Sequence, residues 1–268
     1  MDETRSEFFL LDSHCHLDDE KFAEDISEVV QRAKDSNVKI LIQQSIDAES
    51  MQKSLLLTEK YESIYCTLGV HPHEAKTWEE QTASTIKNNI ENPGVVAVGE
   101  IGLDYHYNFS PPAVQKEVFK KQLKIAEECG AACVLHVREA WDDLWNIMLP
   151  YEEKIKKRLL HCFTDGPEIA GKAVEHGYYI AFGGATTFKK MVALREAVKI
   201  TPIDRLLLET DSPYMSPEPY RGRRNEPMRI PVIAKYLASL KGLEFSEFAA
   251  ITSQNALDFF GISSNDGC

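Results

Sequence analysis

The chain has 268 residues, of which 43% are hydrophobic and 27% are charged, proportions typical of a globular protein with ample core material. Its net charge of −12 argues against broad, non-specific adsorption to nucleic acid, although divalent cations and a local arginine cluster can reverse the sign at one site. No apolar run approaches the roughly 20 residues needed to span a bilayer. We therefore expect no membrane partner.

Six cysteines are spread along the chain without a CxxC pair, a pattern too sparse for a disulfide scaffold. The start, MDETRSEFFLLD, is acidic and polar and lacks the basic region of a signal peptide. We therefore expect reduced thiols and a cytoplasmic location, with the nucleus as the alternative compartment. The sequence leaves the oligomeric state open, and we favour a monomer.

Eight short runs rich in β-branched and other apolar residues predict eight strands. They occupy residues 7–12, 38–46, 64–70, 94–102, 131–137, 158–163, 178–184 and 205–211, and we take the first strand to continue to residue 16. Stretches with helical spacing lie between or after them, including 24–36, 111–130, 229–240 and 244–260. The second of these helices has Pro at its start and Gly at its end, as helices commonly do.

Alternation of strands and helices predicts a parallel sheet with helices outside it, and eight repeats at this length predict a closed (β/α)₈ (TIM) barrel. The alternative is an open doubly wound sheet, which usually carries a glycine-rich turn after its first strand. Here HCH stands in that place, so the barrel is favoured. We expect one α/β domain over residues 8–262, with a polar tail at 1–7 and a C-terminal tail at 263–268.

Metal-competent side chains stand at the ends of five of the predicted strands. They are His14 and His16, Glu100, His136, His161 and Asp211. In a barrel these positions meet at the C-terminal rim, where such folds place their chemistry. The set suits two divalent cations: one bound by His14, His16 and Asp211, the other by His136 and His161, with Glu100 bridging the two.

Each fragment alone has a plainer interpretation. A single HxH is more often incidental, a lone histidine can be a hydrogen-bonded core residue, and an aspartate after a strand can cap the next helix. Their occurrence together, at the ends of five strands, favours a metal site at the rim over coincidence.

Three further residues fall near the same rim. His71 and His73, in GVHPHEA after the third strand, either contact a phosphate or leaving group or belong to a surface turn organised by Pro72. Glu209 lies two residues from Asp211, so on a strand it would share its face and point into the barrel. We expect Glu209 to orient a metal ligand, with a structural ion pair as the alternative.

A basic loop follows the eighth strand in DSPYMSPEPYRGRRNEP. Arg221, Arg223 and Arg224 are candidate phosphate contacts, because arginine forks match phosphate oxygens, and Lys189 is a weaker candidate helper. The alternative is an ordinary solvated face. Tyr105, Tyr214 and Tyr220 are candidates either for stacking on bases or for packing the loops; no stacking platform stands out from the pattern alone.

The blocks DSHCHLDD, GVHPHEA, GEIGLDYH, LHVREA, LHCFTDG and LLETDSPY…RGRRNEP together resemble the signature of the TatD family of metal-dependent deoxyribonucleases, from about residue 9 to 260. The resemblance implies a TIM barrel of the amidohydrolase-like superfamily and the ligand set given above. It further implies hydrolysis of DNA phosphodiesters, as a 3′→5′ exonuclease acting on single strands or 3′ ends, with Mg²⁺ as the activating ion. His106 and Asp165 depart from the family pattern, and neither is an expected ligand.

The expected mechanism uses a water activated by two cations, with Asp211 accepting its proton, Glu100 fixing the metals, and His71 contacting the phosphate. Four histidines suit Zn²⁺ or Mn²⁺ better than Mg²⁺, so the native ion stays open. One alternative is the same centre acting as an aminoacyl-tRNA deacylase or other ester hydrolase. Another is a non-catalytic binding protein with a structural metal, which six ligands for two ions argue against.

Overall fold

A computed structural model describes residues 8–263, in which eight parallel strands form one sheet whose order follows the chain. The predicted (β/α)₈ barrel is confirmed. Residues 1–7 and 264–268 of the predicted tails lie outside the described residues. The strands are β1 (Leu10–Cys15), β2 (Val38–Gln44), β3 (Ile64–Leu68), β4 (Val95–Asp104), β5 (Cys133–Arg138), β6 (Arg158–Leu160), β7 (Tyr179–Phe182) and β8 (Leu206–Leu208).

Helices alternate with the strands throughout the described range. They are α1 (Ile26–Asp35), α2 (Ala48–Lys60), α3 (Glu80–Asn89), α4 (Pro112–Cys129), α5 (Trp141–Met148), α6 (Pro167–Glu175), α7 (Val192–Ile200), α8 (Ile230–Lys241) and α9 (Phe245–Phe260). Each of the four helices whose ranges were predicted from the sequence begins and ends within two residues of the predicted positions. As its sequence suggested, α4 has proline in its first turn and ends at Gly130, which adopts the left-handed conformation at φ 64°.

Two buried clusters form the core, and residues alternate between them along the strands. The larger lies between the sheet and the surrounding helices. The smaller consists of alternate strand residues such as Leu11, Val134 and Leu207, which therefore face the inside of the barrel. The last turn of α9 packs Phe259 against Tyr179, at the beginning of β7, so it covers the N-terminal end of the barrel. The opposite, C-terminal rim is where the predicted site residues lie.

The barrel closes where β1 meets the segment after β8. The N–H of Asp211 donates to the carbonyl of His14 over 2.9 Å, and the N–H of His16 donates to Ser212 over 2.7 Å. Below these bonds Asp12 accepts hydrogen bonds from both the backbone N–H and the hydroxyl of Thr210. The closing seam is therefore made by the same two segments that carry three predicted metal ligands.

Within the described range, no helix combines the length and the apolar character that crossing a membrane requires. The cysteines that the structure describes are unpaired, and most of them are buried in strands.

Candidate metal centre

The predicted ligands from five strands converge on the carboxylate of Glu100. Its Oε2 lies 3.2 Å from Nε2 of His14 and 3.6 Å from Nε2 of His16. Its Oε1 lies 2.6 Å from Nε2 of His161 and 3.0 Å from Nδ1 of His136. Each carboxylate oxygen thus faces different imidazoles, which is the arrangement expected of a bridging ligand.

Asp211 completes the side of the site on which the first two histidines lie. Its Oδ1 is 3.7 Å from Nε2 of His14 and 3.6 Å from Nε2 of His16. The residue adopts φ 54°, a left-handed conformation that aspartate tolerates better than most residues. Its backbone bond to His14 fixes this turn against β1.

Irregularities in the strands aim two of these ligands. The register between β1 and β2 shifts between Asp12 and Cys15, around His14. The register between β4 and β5 shifts between Val98 and Ile101, around Glu100. Bulges of this kind re-aim side chains at barrel rims. Glu100 is therefore not at the end of its strand, as the sequence suggested; it lies inside β4, which continues to Asp104.

Two other expectations about strand ends were also wrong. β6 ends at Leu160 and β8 at Leu208, so His161 and Asp211 stand in the segments that follow. The argument that Glu209 shares a strand face with Asp211 therefore does not apply. Both side chains reach the site because the chain after β8 turns across the rim, anchored by the backbone bonds to β1.

Burial and charge set the protonation of these groups. Burial by itself would raise the pKa of Glu100, but the imidazoles of His161, His71 and His14 pull it well below its ordinary value. Burial lowers the pKa of His14 to about 3 and that of His71 to about 4. The chain thus presents a charged carboxylate beside neutral imidazoles, which are the protonation states that ligate metals.

His16 and His136 behave differently. Burial would lower the pKa of both, yet hydrogen bonds from each ring to a carboxylate, Asp211 for His16 and Asp104 for His136, raise their pKa values to about 9 with the help of the charge on Glu100. These rings therefore carry protons that a bound cation would displace.

The donor set fits divalent cations. Three groups of donor atoms, each within 4.8 Å of one another, could hold an ion: His14, His16 and Asp211; His14, Glu100 and His161; and His71, Glu100 and His136. Among the described residues, Oε2 of Glu100, Nδ1 of His14 and Nδ1 of His161 are buried without a hydrogen-bond partner. Buried polar atoms normally have partners, so the unpartnered Oε2 of Glu100, which faces Nε2 of His14 and of His16, supports ion binding there. The two Nδ1 atoms lie on the far side of their rings from Glu100, so they carry no such argument. Imidazole with carboxylate suits Zn²⁺ or Mn²⁺ chemically.

His71 and His73 stand at the rim in the short 3₁₀ helix Pro72–Thr77 and its N-cap. Nε2 of His71 lies 3.3 Å from Oε1 of Glu100, so His71 is close enough to contact either a cation or a substrate there. Nδ1 of His71 accepts the N–H of His73, which orients the ring. His73 is turned away from Glu100 and contacts Asp104 over 3.0 Å.

Sequence reasoning missed Asp104. One oxygen, Oδ2, lies 3.0 Å from Nε2 of His136 and 3.0 Å from Nε2 of His73. The other, Oδ1, accepts the backbone N–H groups of His106 and Tyr107. Burial opposes ionisation, but the two histidines hold the pKa of Asp104 well below its usual range. A carboxylate on the outer nitrogen of a ligating histidine fixes its tautomer and orientation. The only signal in the sequence was an acidic residue soon after Glu100.

Two buried acids support the site from behind. Oε1 of Glu209 accepts the N–H of Cys162 over 2.6 Å, and its Oε2 lies 3.9 Å from Nδ1 of His161. Burial raises the pKa of Glu209 well above its usual value. Asp12, which the sequence did not single out, accepts from the N–H of His14 and has its pKa raised to about 7 by burial.

The arginines of the basic loop after β8 differ in their exposure and contacts. Arg221 and Arg223 are exposed, and the guanidinium of Arg221 lies 3.9 Å above the ring of Phe188. Arg224 instead forms a two-pronged pair with Asp25 at 2.7 Å on each prong and a third contact with Glu226 at 2.8 Å. Its donors are thereby occupied, which argues against the predicted phosphate contact for Arg224. Lys189 is exposed in the neighbouring loop.

The three tyrosines named as stacking candidates are engaged elsewhere. Tyr105 donates its hydroxyl to Asp143, and Tyr214 donates to Asp19. Tyr220 lies under the guanidinium of Arg229 at 3.4 Å. These contacts fit the packing of loops.

The fold is a barrel of eight parallel strands, and its C-terminal rim brings together the four imidazoles and two carboxylates predicted as ligands. This combination places the chain in the class of metal-dependent hydrolase barrels. A family model described as TatD related DNase matches residues 11–261, so the chain belongs to the TatD family of metal-dependent hydrolases.

Relatives with assigned names agree with this assignment. The chain is 38% identical over 254 residues to a Bacillus subtilis protein called an uncharacterized metal-dependent hydrolase, YabD, with 95% of this chain and 100% of that protein covered. It is 37% identical over 260 residues to the 3′-5′ ssDNA/RNA exonuclease TatD of Erwinia amylovora, covering 94% and 100% of the two chains. The crystal structure of YjjV, a TatD homolog from Escherichia coli, superposes with a TM-score of 0.89 at 28% identity, covering 95% of this chain and 98% of that one.

Proposed function

We propose that this protein hydrolyses phosphodiester bonds of single-stranded DNA from the 3′ end, using two divalent cations. The observation that supports the pair of cations is the carboxylate of Glu100: its Oε2 faces His14 and His16, while its Oε1 faces His71, His136 and His161. The nucleic-acid substrate is supported by the name of the Erwinia relative and by the exposed guanidinium groups of Arg221 and Arg223 near the rim.

The chain's own residues have distinct tasks in this proposal. Asp211 accepts the proton of the attacking water. Burial alone would raise the pKa of its carboxyl, but the hydrogen bond to His16 and the charges of the neighbouring histidines together lower it, so the carboxyl keeps its charge. Glu100 holds the two halves of the site in register. His71, kept neutral by burial, contacts the phosphate, and Arg221 with Arg223 offsets its charge. When bound, divalent cations polarise the phosphoryl oxygens and lower the pKa of water.

We infer the identity of the ions from the chemical types of the proposed ligands. Four histidines favour Zn²⁺ or Mn²⁺ in the purified protein, since Mg²⁺ prefers oxygen ligands and water. We expect Mg²⁺ to support turnover when supplied in excess. Glu209, behind His161, would keep that ring oriented through its contact with the backbone at Cys162.

The test is digestion of a 5′-labelled single-stranded oligonucleotide by the wild-type protein and by Asp211→Asn, with Asp258→Asn on the exposed face of α9 as the matched control. We expect a ladder shortening from the 3′ end with the wild type and the control, loss of the ladder with EDTA, and no turnover by Asp211→Asn with an unchanged circular dichroism spectrum. An oligonucleotide that stays intact in Mg²⁺, Mn²⁺ and Zn²⁺, while an aminoacyl-tRNA ester is hydrolysed, would replace the nuclease with the deacylase.

A further inference from the structure

Two aromatic rings stand exposed on the loop between β4 and α4. Tyr107 is 49% exposed and Phe109 is 58% exposed. Their rings are nearly parallel, with centroids 5.4 Å apart and planes inclined by 12°. Large apolar side chains are usually turned inward when a loop permits it, so a stacked and exposed pair calls for an explanation.

The pair lies beside the candidate metal centre. The ring of His73 packs edge-on against Phe109 at 4.8 Å and against Tyr107 at 5.5 Å. His73 shares Oδ2 of Asp104 with His136, at 3.0 Å on each side. Three contacts, from the rings to His73, from His73 to Asp104 and from Asp104 to His136, thus connect the pair to a proposed ligand of the centre.

Two cationic side chains lie against the pair, and hydrogen bonds hold the loop that carries it. The guanidinium of Arg138 lies 4.8 Å over the ring of Tyr107. The ammonium of Lys76 donates to the carbonyl of Phe109 over 3.2 Å. The backbone N–H of Tyr107 is tied to Asp104, so the loop is pinned to the site rather than free to fold back. Stacked rings flanked by positive charge are the combination with which proteins hold single-stranded nucleic acid.

We propose that Tyr107 and Phe109 form a platform on which one or two nucleobases next to the scissile phosphodiester stack, with Arg138 close to the neighbouring phosphate. This inference rests on the proposed nuclease function. Stacking tolerates any base, since every base has a π-face, so the platform confers little sequence preference. Paired bases in a duplex are already stacked on each other, so the platform selects single-stranded ends.

The experiment compares two oligonucleotides of equal length, one intact and one whose last two 3′ nucleotides are tetrahydrofuran abasic sites. For each protein the measured quantity is the ratio of kcat/KM on the intact strand to kcat/KM on the abasic strand. We expect a ratio of about tenfold or more for the wild type, from the usual strength of one base–aromatic stack. We expect a ratio near one for the double variant Tyr107→Ala/Phe109→Ala, and a partly retained ratio for Phe109→Trp, which keeps a ring. Leu56→Ala, at an exposed leucine of α2, is the control and should keep the wild-type ratio.

The outcomes separate this inference from the function on which it rests. If the wild type degrades the intact strand and the double variant keeps the wild-type ratio, the platform is refuted while the nuclease stands. If the wild type degrades neither strand, both fall. If the double variant loses activity equally on both strands, the rings act on the metal centre instead of on bases, and the platform is again refuted.

Discussion

Asp104 offers the sharpest test of how the imidazoles of the centre are held. In Asp104→Asn, the amide oxygen can keep the two backbone N–H groups that Oδ1 now accepts, which turns the NH₂ group toward His136 and His73. The amide then donates to Nε2 of His136, which must give up its proton there and carry it on Nδ1. Nδ1 is the nitrogen that faces Glu100 at 3.0 Å, so its lone pair is lost to the centre.

The expected size of this effect follows from what outer carboxylates contribute at metal sites. Loss of such a partner typically costs 10- to 100-fold in metal affinity or activity, which corresponds to about 1.4–2.8 kcal/mol. The metal-free Asp104→Asn protein keeps these backbone hydrogen bonds but loses the charged contact between Asp104 and His136, so we expect a small fall in its Tm. In Asp104→Ala, by contrast, two backbone N–H groups lose their acceptor, at about 0.5–1.5 kcal/mol each, which lowers Tm by roughly 2–10 °C.

The assay is turnover of single-stranded DNA, or binding measured by calorimetry, as a function of Mn²⁺ concentration, with thermal unfolding of the metal-free proteins alongside. Asp104→Asn should need 10- to 100-fold more Mn²⁺ or turn over correspondingly more slowly, with a smaller fall in Tm than Asp104→Ala. If Asp104→Asn is activated at the same Mn²⁺ concentrations as the wild type, the tautomer of His136 does not depend on Asp104.

Three further predictions concern the framework of the site. Arg224→Met removes the partly exposed two-pronged pair with Asp25 and should lower Tm by roughly 2–4 °C. Because salt screens the pair, this difference in Tm from the wild type should shrink in 1 M NaCl. A difference that does not depend on salt would indicate lost packing instead. Gly102→Ala would put a Cβ 2.0 Å from the carbonyl oxygen of His136, at a residue whose φ is 144°. We therefore expect a loss of soluble protein or a fall in Tm of more than about 10 °C. A melting curve like that of the wild type would show that β4 and β5 can separate without cost. Alkylation of the native protein, mapped by mass spectrometry, should modify the exposed Cys129 and spare the thiols buried in strands; labelling of the buried thiols at the same rate would contradict their packing.

Much of the fold was visible in the sequence because the strands of a parallel barrel are buried on both faces and read as continuous apolar runs. The helices were equally clear where proline and glycine mark their ends, as in α4. Strand ends were less certain. The sequence pattern of β6 continues beyond Leu160 although its ladder with β7 stops there, since hydrogen bonding between strands depends on the partner and not on the residue itself.

The candidate ligands were recognised from their types and positions, but not the way in which the backbone presents them. The shift in register around Glu100 leaves no mark in GEIGLDYH, because a bulge is a property of two paired strands. Asp104 was overlooked since its two histidine partners come from distant segments, after β3 and in β5. The ion pair of Arg224 was not visible for the same reason: its partner Asp25 lies 199 residues earlier in the sequence.

The closing seam of the barrel has a consequence for how the protein is made. Asp12 and Thr210 are 198 residues apart, and the backbone bonds beside them join His14 to Asp211 and His16 to Ser212. During synthesis the early strands leave the ribosome long before their last neighbour exists, since translation adds about 5–20 residues per second. A nascent chain therefore cannot bring His14 and His16 against Asp211 until the segment after the eighth strand has emerged, so the candidate centre is completed only when synthesis is nearly finished.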